Sequence, residues 1–576
     1  DNVRRLICHD FATAARRVGN PRRAVPFGSG ALRLPLALLG KVGLSVDGRL
    51  TFAPIRAALQ DVTVRRALWH SVETAGWSGL FALLIGAALA LALGLTDVRA
   101  KGAIVFALIL PMMIPQHVTA IAWIQATGPG SLILKALGLA PPVGTTNPLY
   151  SRDGVILLLT IHHAPLVLLV LLSALRRLPR ELVDAARISG ARPSRVLLSI
   201  LLPVSAPSLI AAYALAVVST LGNFGIPALL GIPGRYLTMP VLIWRRLSAF
   251  GPSMLADVAV LSALLGILAI AAVMAQMALQ RRVGARLPGR FQKPITLQLG
   301  PARPLIETAI ALYVVLTVVV PLTALLSTSL VPTYGVALNA QTATLSNYAE
   351  VLFHQQATLR AFVNSGLAAG GAAVTLAAVA MLLSIFLTRR PSGLPRVLVS
   401  TIVTLGEITY AVPGIVISIA FILAFLRPLP ILHLSLYNTL TIIFLAYVTA
   451  FLSIAIKPVA AAAAQIDDSL DAAGRVSGAD FVQRFRRILM PLIAPSAASG
   501  AILVFLTAYN EVTVSSLLWS TGTETVGTTI FNYEDGGAST LAAAMAMLTV
   551  VVTVVGMALV TSVARRLPRG VIPWML

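Results

Sequence analysis

Leu178-Pro-Arg-Glu-Leu-Val-Asp-Ala-Ala-Arg-Ile-Ser-Gly190 has a partner in Ile466-Asp-Asp-Ser-Leu-Asp-Ala-Ala-Gly-Arg-Val-Ser-Gly478, and the two align without a gap at an offset of 288 residues. The match runs on: Ala191 with Ala479, Ile200 with Ile488, Pro203 with Pro491, and Ala206-Pro-Ser with Ala494-Pro-Ser. The chain is therefore a tandem duplication. Each copy reads as a short helix, because Pro179 suits a first helical position and small or apolar residues recur at 178, 182, 185 and 189 and at 466, 470, 473 and 477. Gly190 and Gly478 follow where a left-handed cap would close the turn. The narrow face of Leu, Ala and Ser lets a helix backbone sink into a groove on another body, which reads as a docking plug. A single copy could equally be an interfacial amphipathic helix. Two copies, each between hydrophobic spans, favour docking.

Composition bounds the class. With 57% apolar and 11% charged residues and a mean hydropathy of +0.88, the chain reads as an all-α, polytopic membrane protein. The net charge of +23 comes from arginines beside membrane helices, so nucleic acid is not an expected partner; the lipid bilayer is. The lone cysteine, Cys8, excludes an internal disulfide framework and any cysteine-built metal site.

Residues 1–30 hold six arginines and no long apolar run, and read as a polar cytoplasmic tail; the missing initiator methionine points to a trimmed or unusual start. Leu32 to Leu44 is short for a span and contains Arg33, Pro35 and Lys41, although the duplication expects a span there. Eleven spans follow, near 68–95, 103–125, 154–175, 196–221, 256–279, 305–330, 361–388, 397–426, 434–456, 485–508 and 541–563. The expected division is a first transmembrane half over 31–280, a basic linker over 281–303 and a second half over 304–576. With a cytoplasmic N-terminus, 31 of the 44 Lys and Arg fall on the cytoplasmic side together with both repeated helices, and 11 fall outside. The outer loop 222–255 carries Arg235, Arg245 and Arg246, whereas 509–540 carries Glu511, Glu524, Glu534 and Asp535, an asymmetry that could orient a two-lobed partner.

Asp184-Ala185-Ala186, Gly190, Ile200 and Pro203 resemble the cytoplasmic "EAA" motif of permease subunits in ATP-binding-cassette (ABC) importers. In the second copy Ala473, Gly478, Ile488 and Pro491 keep their places, while the acid moves one residue earlier to Asp471. Gly222-Asn223-Phe224-Gly225-Ile-Pro-Ala-Leu-Leu-Gly231 is similar to a signature of fused ferric-iron permeases, with Asn223 in place of the acid. Tyr509-Asn510-Glu511 resembles the matching segment more loosely. The resemblance implies a fused, two-half permease of the bacterial inner membrane. Its partners would be a cytoplasmic ATPase homodimer, which carries the ATP and Mg, and a periplasmic solute-binding protein. Ferric iron is the implied cargo, with thiamine or a phosphonate open. Loss of the acid at Asn223 weakens the iron reading, because a hard trivalent cation favours anionic oxygen ligands.

No phosphate-binding Gly-x4-Gly-Lys loop, His-Glu-x2-His run or Gly-x-Ser-x-Gly elbow occurs, so covalent catalysis in this chain is not expected. Ionisable groups inside spans are candidates for the path by default. Glu407 is the clearest, with Tyr410 or Arg427 as partners; His162 and His163 precede Pro165, whose missing N–H frees a carbonyl for them. Asn223, Phe224, Gly225, Asn510 and Glu511 complete the path candidates. His117 follows Pro111-Met-Met-Ile-Pro115, which corresponds to Tyr410-Ala-Val-Pro413, and matched breaks in two repeats point to a translocation path. An ion-gradient-driven transporter using Glu407, His162 or His163 is the rival reading, and it leaves the duplicated helix unexplained. Replacing Gly190 or Gly478 by valine is expected to abolish solute uptake while membrane insertion stays normal; unchanged uptake at normal expression would count against a docking lever.

Overall fold

The computed structural model describes residues 39, 45–46, 49–142, 144–175, 178, 180–249, 254–283, 296–389, 406, 409, 412–428, 435–463 and 466–564. The tail 1–30, most of 31–44, Glu407 and Tyr410 lie outside the described residues, as does most of the linker. Hydrocarbon offers no partner to a backbone amide, so helices dominate what is described. A hairpin of two-residue strands, β1 (Ser45–Val46) and β2 (Arg49–Leu50), precedes the first of them.

In the first half, α1 (Ala53–Gln60) leads into α2 (Val62–Leu95), a 34-residue helix started by Asp61, whose carboxylate accepts the Thr63 N–H at 2.7 Å. Then come α3 (Lys101–Met113), α4 (Gln116–Thr127), α5 (Arg152–Leu175), α6 (Arg180–Ile188), α7 (Leu202–Leu221), α8 (Met239–Leu247) and α9 (Met254–Val283). The second half contains α10 (Arg303–Val314), α11 (Val320–Ser329), α12 (Gln356–Arg389), α13 (Gly414–Phe425), α14 (Leu440–Ala463) and α15 (Asp468–Val476). It closes with α16 (Met490–Tyr509), α17 (Val526–Asp535) and α18 (Ser539–Ala564).

The duplication holds residue by residue where the repeat was strongest. Helices α5 and α14 are each 24 residues long, α6 and α15 each 9, and α7 and α16 each 20, all at the same offset. Even a defect is copied: π-helical turns at Leu197–Leu201 and Phe485–Leu489 precede α7 and α16. Pro203 and Pro491 stand two residues after these turns and cannot donate to the carbonyl four back, so the turn widens and Leu202 and Met490 donate five back. The turn at Val315–Val319 before Pro321 has the same cause.

Among the described residues, nine helices are long and apolar enough to cross a membrane. The span expected over 103–125 is not continuous: α3 ends at Met113, Ile114 is extended ahead of Pro115, and α4 departs at 96°. In the second half Pro413 likewise precedes α13, the described part of the span expected over 397–426.

In the two halves, α2 packs on α5 and α7, and α12 on α14 and α16. The approach of α2 to α5 depends on Gly86, where a Cβ would fall 2.7 Å from the Ala164 carbonyl oxygen and from Val167. The halves interlock, with α11 against α4 and α9 against α13. Where the linker re-enters the fold, Leu297 N–H donates to the Leu95 carbonyl at 2.6 Å, and Leu299 N–H to Asp97 at 3.0 Å. Arg303 reaches Asp97 at 3.5 Å and Glu307 at 2.9 Å, and Glu307 also accepts the Arg99 N–H at 3.0 Å. The Leu299 N–H, with Arg303 adding to it, holds the Asp97 carboxyl below its ordinary pKa.

The outer-loop charges are largely committed within the fold. Arg246 pairs with Asp61 at 2.8 Å and Glu524 with Arg360 at 3.1 Å, which leaves Arg235, Arg245 and Asp535 as exposed members of the two sets. The opposed charge pattern expected from sequence is correspondingly smaller on the surface. Gly86→Leu is expected to destabilise the first half by about 1–3 kcal/mol or more through overpacking, read as a lower melting temperature in detergent; Gly76→Leu, where nothing lies within 4 Å of the added carbon, should leave it within a degree or two.

Candidate docking helices and central cavity

Helices α6 and α15 end in the same cap. Gly190 and Gly478 have φ of +80° and +74°, the left-handed region that glycine enters without strain. Gly190 N–H donates to the Arg187 carbonyl and Ala191 N–H to that of Ala186; Gly478 to Arg475 and Ala479 to Gly474 repeat the pattern. Each helix is thus closed by two bonds and turned sharply into the next element.

Of the expected docking face, Leu178 is buried, whereas Leu182, Ala185 and Ser189 are exposed, as are Leu470, Ala473 and Ser477. Ile188 and Val476, equivalent residues, stand 88% and 90% exposed. Asp184 is exposed and Ala186 half-buried. Ile200 and Ile488 are half-buried, and Ile488 lies over Gly474, where a Cβ would meet it at 3.0 Å. Pro203 and Pro491 are exposed and act through the π turn.

Asp471 does a different job from Asp184. Its carboxylate accepts from Arg484 at 2.9 Å and also pairs with Arg475, tying α15 to the segment that follows. At the same two positions of the first copy stand Val183 and Val196, both buried in one apolar cluster. Two buried apolar residues in one repeat stand where the other has an ion pair, an exchange that the offset of 288 makes visible in the sequence.

Between the halves lies a cavity of about 320 Å³. Each half contributes the same four pieces: the proline break (Pro115; Pro413), mid-helix positions of α5 and α14, the end of α7 or α16, and the loop after it. Asn223, Asn510 and Glu511 line it, and so do His162, His163 and Gln116. Gln116 was not singled out in the sequence; its place after Pro115, equivalent to Gly414 after Pro413, was the available signal. Phe224 and Gly225 lie behind the wall. Phe224 is fully buried, its ring 5.8 Å from Trp244 and 5.6 Å from Phe531 of the other half. Gly225 lets the loop cross the start of α4, where a Cβ would lie 3.2 Å from the His117 nitrogen.

The loops are capped alike. Glu511 accepts the Val514 N–H at 2.6 Å and the Ser515 N–H at 3.1 Å; Asn223, its equivalent, accepts the Ile226 N–H at 3.4 Å. The Asn223 amide nitrogen is buried and unpartnered. His163 bonds the Leu159 carbonyl at 2.8 Å and Ser219 at 3.0 Å, tying α5 to α7, with His162 edge-on beside it. Glu407 lies outside the described residues. Among those described, no group of three His, Cys, Asp or Glu could hold a metal ion.

Residues 82–287 and 380–569 each match the family of binding-protein-dependent transport system inner membrane components. The chain belongs to this family. It is a fused permease with two such domains, a multi-pass inner-membrane subunit of an ABC importer that is not itself an enzyme and works with an ATPase and a binding protein. It is 26% identical over 504 residues to a probable ABC transporter permease of Sinorhizobium fredii, covering 85% of this chain and 84% of that one. It is 24% identical over 535 residues to a ferric transport system permease of Actinobacillus pleuropneumoniae (89% and 73%). A putative 2-aminoethylphosphonate transport system permease of Salmonella typhi is 27% identical over 218 residues (37% and 74%).

For this permease, Glu511→Ala is expected to orphan two buried backbone N–H groups at about 1–3 kcal/mol each and lower the melting temperature. Glu511→Gln, which keeps an acceptor, should lose less than half as much; equal losses would show that the carboxylate does not cap the loop.

Proposed function

We propose that the chain forms the solute path of an ATP-driven importer, with α6 and α15 seated in the two grooves of a cytoplasmic ATPase homodimer. The observation that carries this is the pair of identically capped helices with equally exposed apolar tips, Ile188 and Val476. The sequence places six expected spans between them, near 196–221, 256–279, 305–330, 361–388, 397–426 and 434–456, an even number that supports both helices emerging on one side, which the arginine distribution makes the cytoplasm.

ATP-driven closure of the ATPase draws the two helices together. Each moves as a lever, because its cap, with the apolar cluster that holds Val183 and Val196 in one copy and the Asp471–Arg484 pair in the other, joins it to the next element. The motion passes through the π turns into α7 and α16, whose far ends, at Ser219 and Thr507, line the cavity. The receptor delivers solute at the opposite end.

For the cargo, ferric iron is supported by the signature around Asn223 and by likeness to the ferric permease over 89% of this chain and 73% of that one. A zwitterionic phosphonate is favoured by a different observation. Among the described residues the cavity offers one carboxylate, Glu511, with several amide and imidazole groups, a set that suits an amine-bearing solute better than a hard trivalent cation wanting several anionic oxygens.

In proteoliposomes, uptake should require ATP, the ATPase and the loaded receptor, and should persist when ion gradients are collapsed; gradient-driven uptake without the ATPase would overturn the reading. Elemental analysis of ligand carried by the copurified receptor, iron or phosphorus, separates the two cargoes. With Cys8 replaced by serine, a single cysteine at Ala185 or at Ala473 should crosslink to the ATPase.

A further inference from the structure

The outside of the bundle carries a second cavity, on the first half. Between α2 and α5 runs an open groove of about 560 Å³, walled by Trp77, Phe81 and Leu84 on one side and Ile156 and Leu157 on the other. Trp77 and Phe81 stack at 5.7 Å, and the Thr160 hydroxyl in the groove is spent on the Ile156 carbonyl at 2.8 Å, so the walls are apolar. In the second half Phe444 occupies the place of Ile156. Its ring packs against Gly371 of α12, where a Cβ would lie 3.3 Å away.

The mouth of the groove differs too. Arg152 and Asp153 open α5, whereas Leu440 and Thr441 open α14. Arg152 is anchored to Glu73 at 2.8 Å, and Glu73 is held from behind by the Tyr236 hydroxyl at 3.1 Å. Arg152 also reaches Asp153 at 3.4 Å, yet its side chain is still 45% exposed and that of Asp153 85% exposed. From Arg152 to Thr160 is about 12 Å along the helix at 1.5 Å per residue, so the groove runs from the membrane surface into the hydrocarbon. Only lipid is available to cover an apolar wall at that depth.

We propose that this groove binds one glycerophospholipid with a zwitterionic phosphate–ammonium headgroup, its phosphate on Arg152, its ammonium beside Asp153 and an acyl chain across Trp77, Phe81 and Leu84. The charge at the mouth selects this headgroup. One arginine stands with two carboxylates, Glu73 and Asp153, which disfavours a lipid with net negative charge and leaves an acid for an ammonium. The reading rests on the chain spanning a bilayer and is independent of the cargo.

The test is native mass spectrometry of the full permease–ATPase complex, released from mild detergent after equilibration with phosphatidylethanolamine or phosphatidylglycerol. One phosphatidylethanolamine per complex should be retained, about tenfold more strongly than phosphatidylglycerol. Leu84→Trp fills the groove from its rim at a side chain already 59% exposed, and should abolish that retention with the melting temperature unchanged. Arg152→Gln should reduce it about tenfold. Should Arg152→Gln fail to fold through loss of the Glu73 anchor, Leu84→Trp decides alone. Equal retention by Leu84→Trp and the unaltered chain, or equal retention of the two lipids, would overturn the proposal.

Discussion

A backbone amide or carbonyl in hydrocarbon must find a partner inside the protein, and the architecture of this permease follows from where that rule is relaxed. Long unbroken helices, α2 and α12 above all, make the scaffold. Among the described residues, irregular backbone meets at the centre, where the breaks at Pro115 and Pro413 and the loops after α7 and α16 surround one cavity. At both loops a nearby side chain answers the irregularity: Glu511 and Asn223 take the amides their loops expose. The groups that keep the path folded therefore also line it.

The duplication shows how a symmetric machine tolerates unequal parts. Backbone features are copied to the residue, from the π turns to the left-handed caps. Side chains drift in compensated pairs. Val183 with Val196 becomes Asp471 with Arg484, and in both the helix stays joined to its neighbour. Asn223 becomes Glu511, and in both the loop keeps its cap, although only the second places a carboxylate at the cavity. A fused chain can make such changes in one half alone, which two identical subunits could not.

Much of this was legible in the sequence, because membrane helices and a gapless repeat depend on local pattern. The repeated short helices, their caps and nearly all the spans come from residue spacing. The failures share one cause. A hydropathy window over 103–125 cannot register a 96° bend at Pro115, since both arms are apolar. Counting charges in the outer loops could not show that Arg246 and Glu524 were already taken by Asp61 and Arg360, partners distant in the chain. Phe224 and Gly225 sit in the same motif as Asn223, yet they face the packing behind the wall.

By itself the sequence determined the class, the repeat and the segments that leave the bilayer, because composition and periodicity act over a few turns of one helix. Only the tertiary structure decided which polar residues meet in the cavity and that Asp471 is bound to Arg484. It alone also showed that an open apolar groove runs between α2 and α5 of the first half. Those outcomes depend on side chains from separate helices arriving within a few ångströms of each other, and no pattern along a single segment records that.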